Sequence, residues 1–450
     1  MRSKRGTRAA IAARSELLVP AVIVLVAALA IAGYVATYAH YLDLNLYPVV
    51  RSDGVGYYAY LPAWIIDHDP SLRHVVTVDF GSQNIASLNL QPSTGSYLDE
   101  FPVGEAIMLL PFFVAGHVTA LLIGVDANGF SRPEELAVGL GGVFYMVAGL
   151  AVLGRALARR FSPRVTAASL VAITFGANLF HYGTFDSMFS HAFSFFLVAC
   201  LVESSRHWYL SQRRIQPSVL LGANLGAIVL VRNVNAVFVL VPALYGVWNA
   251  QTLRERLEWL REHRWRLPPV AVSACAVFVP QLVVWKVATG GWITNSYQDV
   301  HFDLLHPHIL DTLFSFDPHG FLPWAPIMAL ALAGLIWLRR YAPELFLPTC
   351  ATFAVMTYLV ACWNTPGPDW FFGGGYGDRA FIDTFPLLAF GLAALFARAG
   401  EGLKGRVVAV AAVASCVLAT VQMLHYWRLI VPFNGASFDE YVHFLPRRIW

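Results

Sequence analysis

Long apolar runs separated by short polar loops recur along most of this chain, and their length predicts membrane-spanning helices. An α-helix needs about 20 predominantly apolar residues to cross the hydrocarbon core of a bilayer. We therefore expect an all-α fold, one polytopic transmembrane helix bundle of about eleven to thirteen helices that takes up residues 1–450 as a single domain. The count is a range because the runs within 102–157 and within 218–249 need not all cross. The apolar runs lie at 17–38, 102–125, 136–157, 165–183, 189–205, 218–231, 234–249, 268–288, 320–338, 345–363, 379–397 and 407–427.

The distribution of Lys and Arg predicts how the bundle is oriented. Most of the 31 basic residues fall in six clusters, at 2–14, 155–164, 206–214, 254–266, 339–340 and 398–406. Short cytoplasmic loops carry such an excess, so we expect a cytoplasmic N-terminus and outer loops at 41–101, 289–319 and 364–378. One cluster conflicts with this assignment. If both runs of 102–157 cross, the basic residues 155–164 fall on the outer face, so either one run is re-entrant or the rule fails there.

Composition excludes several classes of protein. Apolar residues make up 57% of the chain and charged residues only 13%, about half the charged fraction of soluble domains, so a soluble enzyme is excluded. The net charge is +3 and the basic residues are scattered between apolar runs, which argues against nucleic-acid binding. The five cysteines lie in or beside apolar segments without close pairing, as expected of small core residues. Any chemistry should therefore come from the polar loops.

The first outer loop, 41–101, holds the most informative group of residues. About 60 residues are more than a simple connection needs. The segment RSDGVGYYAYLP places Asp53 just before an aromatic stretch that contains Tyr57 and Tyr58 and runs to Ile66. We expect this stretch to lie along the membrane surface with its aromatic side towards lipid, and the two tyrosines to contact substrate. Asp53 is then a candidate general base, the alternative being a helix N-cap or a solvated loop acid.

Further polar residues lie at the ends of other apolar runs. Glu100, which with Asp99 and Glu105 flanks the start of the second apolar run, is a second candidate acid, although the helix dipole also explains acids there. His181 and His191 could contact a phosphate or a divalent ion. Their spacing matches no known ligand pattern, so hydrogen bonds between helices are the alternative.

Two more candidates lie near the outer ends of later runs. His319 could line a polar site or join two helices. Arg379 follows a glycine run and begins an apolar run, where a guanidinium is costly unless it is paired. It suits a lipid-linked phosphate. The alternative is a salt bridge with Asp378 or Asp383 that fixes the loop.

Taken in order, these segments resemble bacterial polytopic glycosyltransferases of the C-type (GT-C) membrane superfamily, which includes protein mannosyltransferase-like and aminoarabinose transferase-like enzymes. The resemblance covers about residues 17–400, and it is the order and sidedness of the motifs that carry it. The motifs are SDGVGYYAYLP, FPVGEAIMLLPFF, FSHAFSFFL, LVRNVNAVFVLVP, SFDPHGFLPWAP and GGGYGDRAFIDTFPLLAFGL.

This resemblance implies a transferase that moves a sugar from a polyprenyl-phosphate carrier to an acceptor hydroxyl of a lipid, glycan or protein, on the outer side of a bacterial inner membrane. Asp53 matches the acid that serves as the base in that family, and inversion of the sugar centre would follow. The chain departs from the family where many relatives carry a basic residue, because Asp99 and Glu100 stand there. The short tail 428–450 leaves no soluble C-terminal domain.

Two other functions stay open on the sequence alone. A transporter or flippase of a lipid-linked sugar would use similar intramembrane charges and broken helices, but we find no inverted repeat. A non-catalytic scaffold would leave Asp53 and Arg379 replaceable. We expect no cofactor and assign no metal ligands, with a divalent ion such as Mg²⁺ or Mn²⁺ as the alternative.

Overall fold

The computed structural model describes residues 17–42, 48–79, 87–211, 214–297, 300–364 and 374–447. The predicted basic cluster 2–14 and part of the last predicted outer loop, 365–373, lie outside the described residues.

Helices make up almost all of the regular structure, which confirms the predicted all-α membrane fold. Seven helical segments of the described chain are long and apolar enough to cross a membrane, and three shorter apolar helical segments accompany them. The helices are α1 Leu18–Leu42, α2 Asp53–Ile65, α3 Gly104–Ile123, α4 Arg132–Ala158, α5 Pro163–Phe175, α6 Leu179–Thr184, α7 His191–Leu210, α8 Gln216–Val231, α9 Leu240–Leu244, α10 Ala250–Glu262, α11 Leu267–Thr289, α12 Ile309–Phe314, α13 Ile327–Tyr341, α14 Pro343–Ala361, α15 Phe385–Ala399, α16 Leu403–Trp427 and α17 Phe438–Phe444.

Short elements of other types complete the described chain. A π-helical turn spans Val75–Asp79, and 3-10 turns span Asn233–Val239, Arg264–Arg266 and Arg379–Thr384. Two small antiparallel pairs join β1 Leu88–Gln91 to β2 Ser96–Asp99 and β3 His301–Phe302 to β4 Trp363–Asn364.

Helices α1 and α4 pack antiparallel, which decides where the second basic cluster lies. The Tyr34 hydroxyl donates to the Leu136 carbonyl at 2.8 Å near one end, and Gly154 faces Val19 and Ile23 near the other. The residues that follow α4 therefore lie at the same end of the bundle as the N-terminus of α1. The cluster 155–164 thus lies at the end that the Lys and Arg distribution assigns to the cytoplasm.

The two short runs within 218–249 form a hairpin. At one end, the Trp208 indole donates to Ser218 at 2.9 Å and the Tyr209 hydroxyl donates to the Pro242 carbonyl at 2.7 Å. At the other end the chain turns through Arg232, which is buried beside His191. The hairpin therefore carries a charged side chain from its tip into the protein interior.

The loop that follows α1 packs into the bundle instead of lying on its surface. Helix α2 forms where the aromatic stretch predicts one, but residues 54–63 are all buried in protein. Its tyrosines therefore pack against protein, and the expected orientation towards lipid is wrong. The reason is that the β1–β2 hairpin, which the sequence did not predict, and the loop before α4 cover the helix. The Tyr60 hydroxyl donates to the Phe101 carbonyl just after β2, and the Tyr58 hydroxyl donates to the Gly129 carbonyl in the loop before α4.

Candidate active site

The first residue of α2 forms an ion pair with the residue that follows the last predicted outer loop. Nη2 of Arg379 lies 2.8 Å from Oδ2 of Asp53, although the two residues are 326 positions apart in the chain. The Arg379 side chain is 10% exposed and the Asp53 side chain 24% exposed. The pair is therefore mostly buried, and the carboxylate is its more accessible member.

The backbone of the glycine-rich loop holds Arg379 in place. Its Nη1 donates to the Gly374 carbonyl at 2.8 Å, so the guanidinium binds a carboxylate on one side and its own loop on the other. The loop is itself tied to the bundle: Tyr376 N–H donates to the Tyr182 hydroxyl at 3.0 Å, and the Asn178 amide donates to the Tyr376 carbonyl at 3.1 Å. The position of the guanidinium is thus determined by a network of buried hydrogen bonds.

Asp378 caps the 3-10 turn that begins at Arg379. Its Oδ1 accepts the Ala380 N–H at 3.2 Å. Burial raises the pKa of the Asp378 carboxyl to about 8, although the cap bond and then Arg379 oppose the shift. Asp378 therefore caps this turn, and Asp53 is the carboxylate that the Arg379 guanidinium contacts at 2.8 Å.

Local packing at the start of α2 fixes Asp53. A Cβ on Gly54 would lie 2.8 Å from Cβ of Met188, so only glycine lets the helix approach the segment before α7 this closely. Ser52 has a φ of 50°, which is unusual for a residue with a side chain. Asp53 itself lies at the N-terminus of α2, where the helix dipole favours a carboxylate.

A buried network of polar contacts holds the residues that come just before α2. Arg51 Nη2 lies 2.6 Å from Asp186 Oδ1, and His181 Nε2 lies 2.9 Å from Asp186 Oδ2. Burial alone would raise the pKa of Asp186, but Arg51 and then His181 outweigh it and lower the pKa to about 2. The Trp427 indole N–H donates to His181 Nδ1 at 2.8 Å, so both ring nitrogens have protein partners. This geometry gives His181 a supporting role and argues against contact with substrate.

A second buried ion pair lies next to the first. Arg232 Nη1 lies 2.7 Å from Asp383 Oδ2 and donates to His191 Nδ1 at 3.0 Å. Asp383 is therefore the partner of Arg232, and the alternative that it pairs with Arg379 is wrong. The reason is geometric, because Asp383 lies at the other end of the 3-10 turn, which directs its side chain to α8 and α7.

The two predicted tyrosines face different neighbours. Tyr57 is four residues after Asp53 and therefore lies on the same side of α2. Its hydroxyl accepts a hydrogen bond from Ser190 at 3.0 Å, and its ring stacks on Phe101 with centroids 4.3 Å apart. Tyr58 points elsewhere and donates to the Gly129 carbonyl in the loop before α4. Tyr57 therefore stays a predicted site residue, whereas the position of Tyr58 argues for packing alone.

Glu100 and His319 are attached to other parts of the protein. Glu100 follows β2, and its Oε1 accepts from the Asn89 amide at 3.4 Å. His319 bonds through Nδ1 to Asp317, whose Oδ2 accepts the Ala436 N–H at 3.1 Å near the C-terminus. The contacts named here attach both side chains to other parts of the protein, and their roles at the site stay predictions.

The burial of Glu105 is more than the helix dipole, the explanation that the sequence offered for it, can account for. Glu105 lies in the first turn of α3, is 0% exposed, and has no hydrogen-bond partner for either carboxylate oxygen among the described residues. It lies within electrostatic reach of Asp53 and Arg232. A buried carboxylate without a partner is costly, so the helix dipole alone does not account for it. Its position within an apolar run was the signal that could have identified it.

Comparison with solved structures relates this arrangement to known proteins. The chain aligns with ArnT from Cupriavidus metallidurans in the apo state at a TM-score of 0.50, with 16% identity over 91% of this chain and 68% of that one. It aligns with the apo oligosaccharyltransferase of Archaeoglobus fulgidus at a TM-score of 0.51, with 13% identity over 96% and 60%. Both are GT-C glycosyltransferases. The chain has the GT-C fold. The archaeal oligosaccharyltransferase AglB from the same organism, in complex with an inhibitory peptide and a dolichol-phosphate, aligns at a TM-score of 0.50 with 12% identity over 96% and 60%.

The GT-C fold is seen in structure and not in sequence similarity. No protein-family model matches the chain, and no curated protein matches it either. The chain spans 68% of the ArnT chain and 60% of the oligosaccharyltransferase chain. Together with its seven apolar helical segments, the GT-C fold makes the chain an integral multi-pass membrane protein.

In this GT-C fold, the described site combines two guanidinium groups with several carboxyl groups. Arg379 and Arg232 each hold one carboxylate at 2.7 to 2.8 Å, while Glu105 has no such partner. Asp53 is the partly accessible carboxylate. The arrangement can therefore bind an anion at Arg379 and accept a proton at Asp53.

Proposed function

We propose that this protein is a glycosyltransferase that moves a sugar from a polyprenyl-phosphate donor to an acceptor hydroxyl. The observation that carries the proposal is the ion pair between Asp53 and Arg379, which brings a proton acceptor and an anion-binding group together. The GT-C fold supports it, as does the dolichol-phosphate bound to AglB. We infer that the protein lies in a bacterial inner membrane with this site at its outer, periplasmic face, as the Lys and Arg distribution predicts.

Arg379 would bind the phosphate of the donor. A guanidinium has five N–H donors in a planar fork, so it can keep its bond to the Gly374 carbonyl and turn its other edge from Asp53 to a phosphate. The lipid tail stays in the bilayer, which limits the phosphate to the depth of the headgroups. As the glycosidic bond breaks, negative charge grows on the departing phosphate, and Arg379 stabilises it where it develops.

Asp53 would act as the general base. Once the phosphate replaces it as the partner of Arg379, its carboxylate can accept the proton of the acceptor hydroxyl. The acceptor oxygen then forms its bond to the anomeric carbon while the bond from that carbon to the phosphate oxygen breaks. The electron pair leaves with the polyprenyl phosphate. Attack from the face opposite the phosphate inverts the sugar centre.

Glu105 would bind a hydroxyl of the sugar or of the acceptor. Its two carboxylate oxygens accept hydrogen bonds, and a hydroxyl is a neutral donor that could satisfy them without adding charge. Tyr57 lies on the same side of α2 as Asp53 and would form part of the wall of this site.

The direct test is the release of polyprenyl phosphate by purified protein in nanodiscs, supplied with undecaprenyl-phosphate that carries a labelled hexose or pentose. We expect Asp53→Asn to lower the rate by about 100-fold to 10,000-fold, the usual contribution of a general base. Asp311→Asn, which changes an exposed acid on α12, is the matched control and should keep the wild-type rate. Equal rates for Asp53→Asn and wild type would contradict the assignment.

The same preparation separates a transferase from a transporter. In sealed proteoliposomes, a flippase would move the labelled lipid across the bilayer with its sugar still attached, whereas a transferase breaks the sugar–phosphate bond. Assays with and without EDTA decide whether a divalent ion such as Mg²⁺ or Mn²⁺ assists the transfer.

A further inference from the structure

Three metal-binding side chains meet at the end of α2 that lies away from Asp53. Asp67 follows the last turn of α2, His74 immediately precedes the π-helical turn, and Asp79 ends that turn. One ligand atom from each lies within 4.8 Å of the other two. With a rise of about 1.5 Å per residue, α2 separates this cluster from Asp53 by about 20 Å. The cluster is therefore distinct from the proposed transfer site.

The carboxylates of this cluster lack the partners that buried oxygens normally have. The Asp67 side chain is only 10% exposed, and its Oδ2 has no hydrogen-bond partner in the described part of the chain. The same is true of Oδ2 of Asp79. His74 Nε2 lies 3.6 Å from Asp67 Oδ1, which is too far for a hydrogen bond.

These two acids also repel one another. A carboxylate oxygen of Asp67 lies within 4.8 Å of a carboxylate oxygen of Asp79. Two carboxylates that face each other with unpartnered oxygens are an arrangement that a bound cation stabilises.

We propose that Asp67, His74 and Asp79 bind a Zn²⁺ ion that stabilises the first predicted outer loop. An imidazole with two carboxylates suits zinc, because magnesium and calcium prefer oxygen ligands throughout. In a zinc site each ligand atom lies about 2.0–2.2 Å from the ion. The ligand atoms then lie closer to one another than the 4.8 Å within which these three are found, so zinc binding would draw the exposed His74 ring inward. Water would complete the coordination.

The ion would tie two parts of the loop together. Asp67 N–H donates to the Pro62 carbonyl at 3.0 Å, so Asp67 is attached to α2, and Val75 beside His74 is fully buried in the main core. The His74 N–H donates to Asp69 Oδ2 at 2.9 Å, which holds the backbone of the ligand in place. Zinc would therefore fix the far end of the helix that begins at Asp53.

The test uses the full chain in nanodiscs, with the affinity tag removed and metal stripped by EDTA. We expect titration with ZnCl₂ to give one tightly bound ion per chain by elemental analysis, and a higher melting temperature that MgCl₂ does not produce. Asp67→Asn and His74→Ala should each weaken zinc binding by at least about 30-fold and remove the thermal shift, because each loses one of three protein ligands.

His68→Ala is the matched control, because His68 is exposed and adjacent to Asp67 without being part of the cluster. It should bind zinc as the wild type does. The proposal is overturned if the wild-type protein binds no zinc, if magnesium gives the same thermal shift, or if His68→Ala and His74→Ala lose affinity equally. The wild-type titration alone decides the matter if the variants do not fold, and none of these outcomes depends on transferase activity.

Discussion

Replacing Arg379 should lower both stability and turnover, and the burial of its ion pair with Asp53 sets the size of the stability loss. Removing one partner of a fully buried ion pair costs about 3–5 kcal/mol, whereas an exposed pair contributes about 0–1 kcal/mol. The Arg379 side chain is 10% exposed and that of Asp53 24%, so the pair lies between these limits. We expect Arg379→Ala to lower the free energy of unfolding by about 1–3 kcal/mol. In turnover it removes one charge-assisted contact to the departing phosphate, which predicts a rate loss of about 100-fold to 1,000-fold.

A double-mutant cycle separates these two effects. Without donor lipid, Asp53→Asn and Arg379→Ala remove the same ion pair, so the double variant should be more stable than the sum of the single changes predicts, by about 1–3 kcal/mol. Arg379→Lys keeps the charge but not the fork, and should recover part of the rate. The assays are chemical denaturation in detergent and release of polyprenyl phosphate at saturating donor. Additive stabilities, or an Arg379→Ala rate within about threefold of wild type, would refute the reasoning.

Three further predictions concern the residues around the pair. Gly54→Val should lower the free energy of unfolding by about 1–3 kcal/mol, and reduce turnover, because its Cβ would lie 2.8 Å from Cβ of Met188; unchanged melting would show that α2 can move. Glu105→Gln should stabilise the protein, because both carboxyl oxygens are buried without a partner among the described residues, and lower turnover by about tenfold or more, because it removes an acceptor for substrate hydroxyls; loss of stability would contradict this. Burial raises the pKa of Asp378 from 3.8 to about 8, so its ionisation should lower the melting temperature as pH rises from about 4 to 8, and Asp378→Asn should flatten that dependence.

The sequence predicted the fold class and the two members of the central ion pair for identifiable reasons. Apolar runs of spanning length determine the helices, and Asp53 and Arg379 stand out because charged residues beside apolar or aromatic stretches are costly. Which carboxylate pairs with Arg379 could not be predicted. Asp378 and Asp383 are near in sequence, but Asp378 caps the 3-10 turn and Asp383 faces Arg232.

The remaining differences come from contacts between distant segments. Helix periodicity alone separates Tyr57 from Tyr58, because positions four apart share a face and adjacent ones do not. Periodicity does not say what covers each face, and here the β1–β2 hairpin and the loop before α4 cover the aromatic side of α2. Glu105, which is fully buried, likewise lies where α3 approaches α8 closely, since a Cβ on Gly104 would meet the Leu230 backbone at 2.4 Å.

The central claim is that a lipid phosphate replaces Asp53 as the partner of Arg379. An experimental structure with a non-hydrolysable phosphonate analogue of undecaprenyl-phosphate sugar tests it most directly. We expect the phosphonate oxygens within hydrogen-bond distance of the Arg379 guanidinium, and the Asp53 carboxylate released towards the face of the anomeric carbon opposite the phosphonate. A phosphonate bound elsewhere, with the Asp53–Arg379 contact still at 2.8 Å, would contradict the account.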